Sequence, residues 1–399
     1  MADAKGIRQH GLFACLRWAV VGTALFIAGC ASGPRVVPEP TRPAPVERPV
    51  TRPPVIQPGL PQDTERHRVA LLVPMSGANA GVGKSLQNAT QLAILDTGTD
   101  AIRITTYDTT APGGAAAAAE QAVADGNKLI LGPLLAEDAR AVAPIARKAH
   151  VPVLSFSNDV SAAGNGTFLL GYSPTQSIER VVAYARTNGI SQFAGLIPTG
   201  VYGERVSTSF LRTVEEAGGK VLALETFDAR PGSMTNAITK LGRVPYQAVL
   251  IGGSSGSAVA ALPTLRKSPN GKTARVLGTE LWNSDSSIGA KPVLGGAWFA
   301  SVPDTFYRQY ATKYRARFGT APYRLSTLGY DSVLLTVRIA REWRPGEDFP
   351  AQQLTNRGFG GVDGAFRFGR DGVADRALEV QEIRGGTIVT VSPAPANVD

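Results

Sequence analysis

The first stretch of this 399-residue chain able to do chemistry is Ala78 to Ser85, "ANAGVGKS", between an apolar run and a helix-like segment. It fits the loose phosphate-binding pattern of Ala or Gly, four residues, then Gly-Lys-Ser. There, backbone N–H groups would cradle phosphates, Lys84 would reach the terminal phosphate and Ser85 would hold magnesium. The strict form wants glycine where Ala78 stands, and the only acid offered by a neighbouring strand end is Asp108. A solvated Lys84 in the first turns of a helix accounts for the same residues. Other chemistry has little to be built from. The chain has two cysteines, Cys15 and Cys30, and three histidines, His10, His67 and His150. His67 and His150 sit at the margins of apolar runs, where they read as boundary residues. Catalytic triads and zinc sites are therefore not expected. The expectation is a non-enzyme without metal or cofactor.

Cys30 has a different chemistry. Lys5, Arg8 and Arg17 precede an apolar run, Trp18 to Ala28, too short to span a bilayer core. The run ends in "FIAGC", which resembles the lipobox of bacterial lipoproteins. That resemblance implies a signal peptide over 1–29, cleavage before Cys30, and lipidation of its sulfur. Ala31 rather than Asp at the second mature position implies sorting to the outer membrane, with the remaining chain facing the periplasm. The attached acyl chains suffice for stable anchoring. Once Cys15 is removed and Cys30 acylated, no thiol remains for a disulfide or a nucleophile.

Residues 30–66 form a tether. Ten of the chain's 28 prolines lie between Ala31 and Arg66, so this segment cannot pack a core. At ~3.1 Å per residue its reach is on the order of 110 Å. The net charge of +9 falls only slightly with loss of the signal, and the basic residues are scattered. Nucleic acid is not an expected partner.

The elements that must position any site follow the tether, over 67–393. Apolar runs such as "RVALLVP", "KLILG" and "VPVLSF" alternate with amphipathic segments. After "GTFLLGY" the alternation starts again with "QFAGLIP" and "QAVLIGG". Strand, helix, strand, repeated, predicts an α/β chain of two lobes, each a mostly parallel sheet flanked by helices. Lobe 1 is expected over about 67–172 and 298–344, and lobe 2 over about 173–297 and 345–393. Two further helices lie in "FYRQYATKYRARFG" and "LSTLGYDSVLLTVRIARE". Turns at Arg370-Asp371-Gly372 and Gly385-Gly386 predict a small antiparallel addition at the end.

In that frame the chain resembles the type I periplasmic binding proteins, the leucine-binding-protein-like group. The resemblance rests on Pro74, Ser76, Gly77, Ala80 and Gly83 in the first loop, the stretch "LILGPLLAEDARAVAPIARKAHVPVLSFSND", "VYGE" from Val201, and Gly278-Thr279-Glu280. It implies a cleft between the lobes lined by Ser76, Leu135, Ala136, Ser155, Ser157, Tyr202, Gly253 and Glu280. Leu134-Leu135-Ala136-Glu137-Asp138 stands where amino-acid binders offer small and hydroxyl-bearing residues to a carboxylate. It is a poor anion site, since an anion needs donors. Glu280 falls where such proteins place an acid for the ligand's ammonium. A narrower resemblance, through "GTELWNS", "STLGYDSVLL" and "GVDGAFRFGRDGVADRALEVQEI", is to penicillin-binding protein activators. It implies stimulation of a peptidoglycan synthase in cell-wall synthesis, with that synthase as partner. The alternative is a receptor delivering a branched-chain amino acid, amide or other small polar solute to an ABC permease.

Overall fold

The computed structural model describes residues 65–396 and residue 398. The expected signal peptide, Cys30 and the tether up to residue 64 lie outside the described residues. Lobe 1 begins with β1 (His67–Val73), α1 (Ala80–Thr97), β2 (Ile102–Asp108), α2 (Gly114–Ala124), β3 (Leu129–Leu131), α3 (Ala136–Lys148), β4 (Val153–Ser155) and β5 (Thr167–Leu169). Its strands form one parallel sheet in the order β2-β1-β3-β4-β5. The apolar run of β1 is continuous because both faces of the sheet are covered. Val69, Leu71 and Val73 pack toward α1 on one side, while Ala70 and Leu72 meet the alanine-rich α2 on the other.

Lobe 2 continues with α4 (Pro174–Thr187), β6 (Gln192–Pro198), α5 (Val201–Glu216), β7 (Lys220–Phe227), α6 (Ser233–Leu241), β8 (Ala248–Ile251), α7 (Ser255–Leu265), β9 (Arg275–Gly278) and β10 (Trp298–Ser301). The chain then returns to lobe 1 through α8 (Thr305–Phe318) and α9 (Ser326–Ala340), which pack on α1. It adds α10 (Gln352–Asn356), β11 (Phe359–Gly361), β12 (Gly364–Phe368) and β13 (Ala374–Arg376), and ends in lobe 2 with β14 (Glu379–Arg384) and β15 (Thr387–Ser392). The lobe 2 sheet runs β15-β14-β10-β9-β8-β6-β7, parallel from β10 to β7 and antiparallel beyond β10.

The two-lobed α/β architecture is the one expected, but the division of the chain differs at two places. Trp298–Ser301, assigned to lobe 1 in the expectation, is β10. It pairs with β9 and β14, so it belongs to lobe 2. Residues 345–376, expected in lobe 2, belong to lobe 1. Leu354, Phe359, Phe366 and Phe368 join the same apolar cluster as Leu86, Tyr310 and Tyr330. The expected terminal addition is thus two hairpins on different lobes. The aromatic faces of β11 and β12 are large enough to need the cover of α9, and only lobe 1 supplies it.

Asp331 of α9 fixes that cover. Its carboxylate oxygens accept the N–H groups of Val362 and Asp363, at 2.7 and 3.2 Å. A Cβ at Gly361 would stand 2.4 Å from the same carboxyl, so the close approach of β11 requires glycine. Burial and the neighbouring Asp363 charge push the Asp331 carboxyl up to about 7, against the two N–H groups. The chain crosses between lobes three times, after Tyr172, after Ser301 and after Arg376.

Candidate functional site in the cleft between the lobes

The glycine loop after β1 is built for packing. A Cβ on Gly83 would fall 1.7 Å from the Pro74 carbonyl oxygen, so this glycine lets α1 lie against the strand it follows. Ser85 is buried. Its Oγ accepts from the Tyr323 N–H at 3.0 Å and the Tyr314 hydroxyl at 3.2 Å, leaving it unsuited to a metal. Lys84 is exposed and donates to Gln87 Oε1 at 2.7 Å. Asp108 Oδ1 accepts from Met75 N–H and from Thr110, which closes the loop rather than activating water. Among the described residues no cluster of His, Cys, Asp and Glu is placed to hold a metal ion.

A cavity of about 300 Å³ lies between the lobes. Leu134, Leu135 and Phe156 line it from lobe 1 with Arg324, while Glu280 and Asn283 line it from lobe 2. Leu135 is the residue before α3 and makes no side-chain cap, so the N-terminus of that helix meets the cavity with an apolar group. Ala136 is the first residue of α3 and half-buried. The serines at the strand end turn inward. Ser155 Oγ donates to Pro133 O at 3.0 Å and accepts the Ser157 N–H at 3.2 Å. Ser157 Oγ accepts the Asp159 N–H at 3.1 Å, and both serines are buried. Ser76 is exposed and bonded to Thr110 Oγ1, at 2.9 Å from its hydroxyl. Gly253 accepts the Trp282 indole N–H at 3.1 Å and leaves room for Ser257, whose Oγ would be 2.8 Å from a Cβ there. Of the eight residues implied by resemblance, the structure brings together Leu135 and Glu280 on opposite cavity walls, with Tyr202 behind Glu280. The other five serve the loops and helices that carry the walls.

Glu280 is 8% exposed. Its Oε1 lies 3.1 Å from the Tyr202 hydroxyl, which is 3.0 Å from Thr279 Oγ1, and its Oε2 has no hydrogen-bond partner among the described residues. Burial pushes its carboxyl up to about 8, against its own backbone N–H and Tyr202. The group is therefore mostly protonated at neutral pH. Burial likewise raises the Tyr202 hydroxyl, with Glu280 adding to the effect.

From Arg324 in the lobe 1 wall a charged network that sequence reasoning missed runs back into the lobe. Arg324 Nη1 donates to Asp363 Oδ1 at 2.6 Å, and Asp363 Oδ2 accepts from Tyr172 at 2.6 Å and Thr327 at 2.8 Å. Burial opposes the Asp363 charge, but Arg324 and Arg376 outweigh it and hold the carboxyl below the ordinary range. Arg324 Nε and Nη2 have no hydrogen-bond partner among the described residues, Nη2 standing 3.6 Å from Asp304. The lobes are also tied directly. Asp159 of lobe 1 pairs with Arg140 and, at 2.6 Å, with Arg205 of α5. Its burial is outweighed by Ser161 and Arg205, which hold it at about 2. Gln176 of α4 accepts the Arg376 N–H at 3.2 Å and donates to Ala374 O at 2.8 Å.

The periplasmic binding protein family model matches residues 67–387. The chain belongs to that family. Solved structures agree on the fold of this periplasmic binding protein. A putative branched-chain amino acid ABC transporter protein from Rhodospirillum rubrum superposes with a TM-score of 0.70 at 20% identity, covering 82% of this chain and all of that one. A leucine-binding protein from Thermotoga maritima gives 0.62 at 19%, covering 82% and 98%. A solute-binding protein of an ABC transporter from Rhodopseudomonas palustris, in complex with 3,4-dihydroxybenzoic acid, gives 0.65 at 18%, covering 83% and 97%. Among curated proteins, an uncharacterised protein of Rickettsia prowazekii is 24% identical over 173 residues, 43% of this chain and 46% of its own length. The chain thus spans about half the length of that relative.

Proposed function

We propose that this periplasmic binding protein is a non-enzymatic envelope lipoprotein, anchored to the outer membrane through Cys30, that stimulates a penicillin-binding peptidoglycan synthase by protein contact. The observation that carries this reading is the state of the lobe 1 wall. An amino-acid binder would meet a carboxylate with donors here, but Leu135 offers no polar side chain, Ser155 Oγ donates to Pro133 O, and the Ser157 N–H donates to Ser155 Oγ while the buried Ser157 Oγ accepts the Asp159 N–H. A strand-end wall without a free hydroxyl or backbone donor is a poor carboxylate site, and Arg324 is the lining residue that keeps N–H groups without a partner among the described residues. The ties through Asp159 and Gln176 favour a fixed mutual setting of the lobes, which suits a contact surface. Crosslinking and pull-down of the mature protein from envelopes tests the reading. Recovery of a penicillin-binding protein is the expected result, and recovery of a permease instead would overturn it.

A second reading, a solute receptor for an ABC permease, is favoured by Glu280 Oε2 and Arg324 Nε, polar atoms of cavity-lining residues that have no hydrogen-bond partner among the described residues. A solute at a hundred times its dissociation constant stabilises the folded state by about 2.7 kcal/mol. Thermal melting against leucine and related solutes therefore separates the two readings.

A further inference from the structure

Arg180 of α4 gathers two passages of chain at the edge of lobe 2. Its Nε donates to Leu378 O at 2.9 Å, just past the crossing after Arg376, and its Nη2 donates to Ser392 Oγ at 2.6 Å and to Pro393 O at 3.1 Å. Ser392 ends β15 opposite Val380, the second residue of β14, so the chain leaves the lobe 2 sheet at the end where β14 enters it from lobe 1. Pro393 and Pro395 have no N–H with which to prolong the ladder, and Ala394, standing before a proline, is biased to an extended form. Three extended residues cover about 9 Å.

The chain thereby comes back to lobe 1 beyond its three crossings. Ala396 lines a groove of about 540 Å³ whose other walls include Phe306 and Tyr310 of α8, Tyr330 and Leu334 of α9, and Val362 after β11. The polar tips around this groove are already engaged. The Tyr310 hydroxyl lies 2.6 Å from Ser326 Oγ, while the Tyr330 hydroxyl and Lys313 Nζ both donate to Asp96 Oδ2, at 2.7 and 2.9 Å. Phe306 is 56% exposed, and a Cβ on Gly360, in the edge strand β11, would meet no atom within 4 Å. A surface of this kind gains from an apolar cover. The tail supplies apolar side chains at Ala396 and at Val398, which is half-buried.

We infer that this groove is the seat of the chain's own tail beyond Ser392, which straps lobe 2 to lobe 1 and limits the opening of the cleft. The root of the tail is fixed on lobe 2 by Arg180, and a short path with two prolines has little slack to give. Opening the lobes therefore draws Ala396 off the lobe 1 wall. The coupling is reciprocal, so displacing the tail loosens the lobes. Because the groove shares no lining residue with the cleft cavity, the setting of the lobes is displayed at a second surface. The strap holds whether the cleft serves a protein contact or a solute.

The test compares the mature chain with one ended after Pro393, which keeps β15 and the Arg180 bonds to it. Hydrogen exchange over residues 305–313 and 359–365 is expected to be on the order of tenfold faster in the shortened chain. Its radius of gyration from small-angle scattering is expected to be larger. Ala396→Lys in the full-length mature chain sets a charge against the apolar walls and is expected to give both changes, so it decides the matter if shortening alone unfolds the domain. Phe306→Ser, at an exposed position, is expected to speed exchange over 359–365 with the fold intact. Equal exchange in the full-length chain, the shortened chain and Ala396→Lys would overturn the seat. Faster exchange with an unchanged radius of gyration would overturn the restraint on opening. A concentration-dependent dimer that disappears on shortening would place the tail in a neighbour's groove and overturn the strap within one molecule.

Discussion

Asp363 and Glu280 are two buried carboxyl groups, one behind the lobe 1 wall of the cleft and one in its lobe 2 wall. Asp363 is 0% exposed and stays ionised, whereas Glu280, at 8%, is driven toward its neutral form. Depth is therefore not what separates them. Asp363 has an arginine at 2.6 Å and hydroxyl donors on its second oxygen. Glu280 has one tyrosine hydroxyl and its own backbone N–H to set against burial, and its Oε2 has no hydrogen-bond partner among the described residues. Lobe 1 holds a compensated ion pair that can only lose by disturbance, and lobe 2 holds an acid whose charge depends on what approaches it.

The largest expected effect comes from breaking the compensated side. Asp363→Ala leaves Arg324 buried without its partner and should destabilise the domain by about 3–5 kcal/mol. That corresponds to a fall in melting temperature on the order of 10 °C. Scanning calorimetry checks it, and the double replacement Arg324→Met with Asp363→Leu should recover much of the loss. Little destabilisation by Asp363→Ala alone would erase the contrast between the walls.

Glu280→Gln sharpens the other side. An acid raised to about 8 in the folded state, against an ordinary value near 4.5, keeps its proton after the unfolded chain has lost it. Stability from this group is full below about pH 4.5 and declines as pH rises toward 8. Urea titrations from pH 5 to 8 should therefore show a decline in wild type that is shallower in Glu280→Gln. Asp331, raised to about 7, adds a similar slope to both proteins, so the difference between them isolates Glu280.

Smaller effects are expected away from the walls. Arg205→Ala removes one of the two arginines on Asp159 and the one that crosses between lobes. It should cost about 1–2 kcal/mol and raise the radius of gyration measured by small-angle scattering. Lys84→Ala, which loses only an exposed contact to Gln87, should change melting by less than about 0.5 kcal/mol equivalent and leave synthase recovery intact.

Much of the fold was legible because it is written at short range. The inner strands β1, β3, β4, β6, β8 and β9 appear as apolar runs between helices, since a parallel sheet covered on both faces needs continuous apolar strands, while the edge strands β2 and β7 carry polar residues among the apolar ones. β10 was hidden by its brevity, "WFAS" lying among irregular residues. The crossing between Arg376 and Glu379 was hidden because the hairpins on either side share one pattern of alternation and turn glycine, and nothing local states which lobe each faces. At the site, residue types were legible but not their partners. Ser155 and Ser157 look like donors to a ligand until their own loop is seen to use them. The Arg324–Asp363 pair spans 39 positions, and Asp159–Arg205 joins different lobes, so neither leaves a signature in spacing.

The three crossings between lobes bear on how the molecule is made. β1 to β5 leave the ribosome, and in the proposed envelope route the translocation pore, well before α8 and α9. Until those helices arrive, the face of Val69, Leu71 and Val73 lacks part of its native cover. A chaperone that shields apolar sheet surface during export would have this face as its natural client. A chain cut after Ser301 would retain that need permanently, aggregating where a chain cut within the β14–β15 hairpin would not.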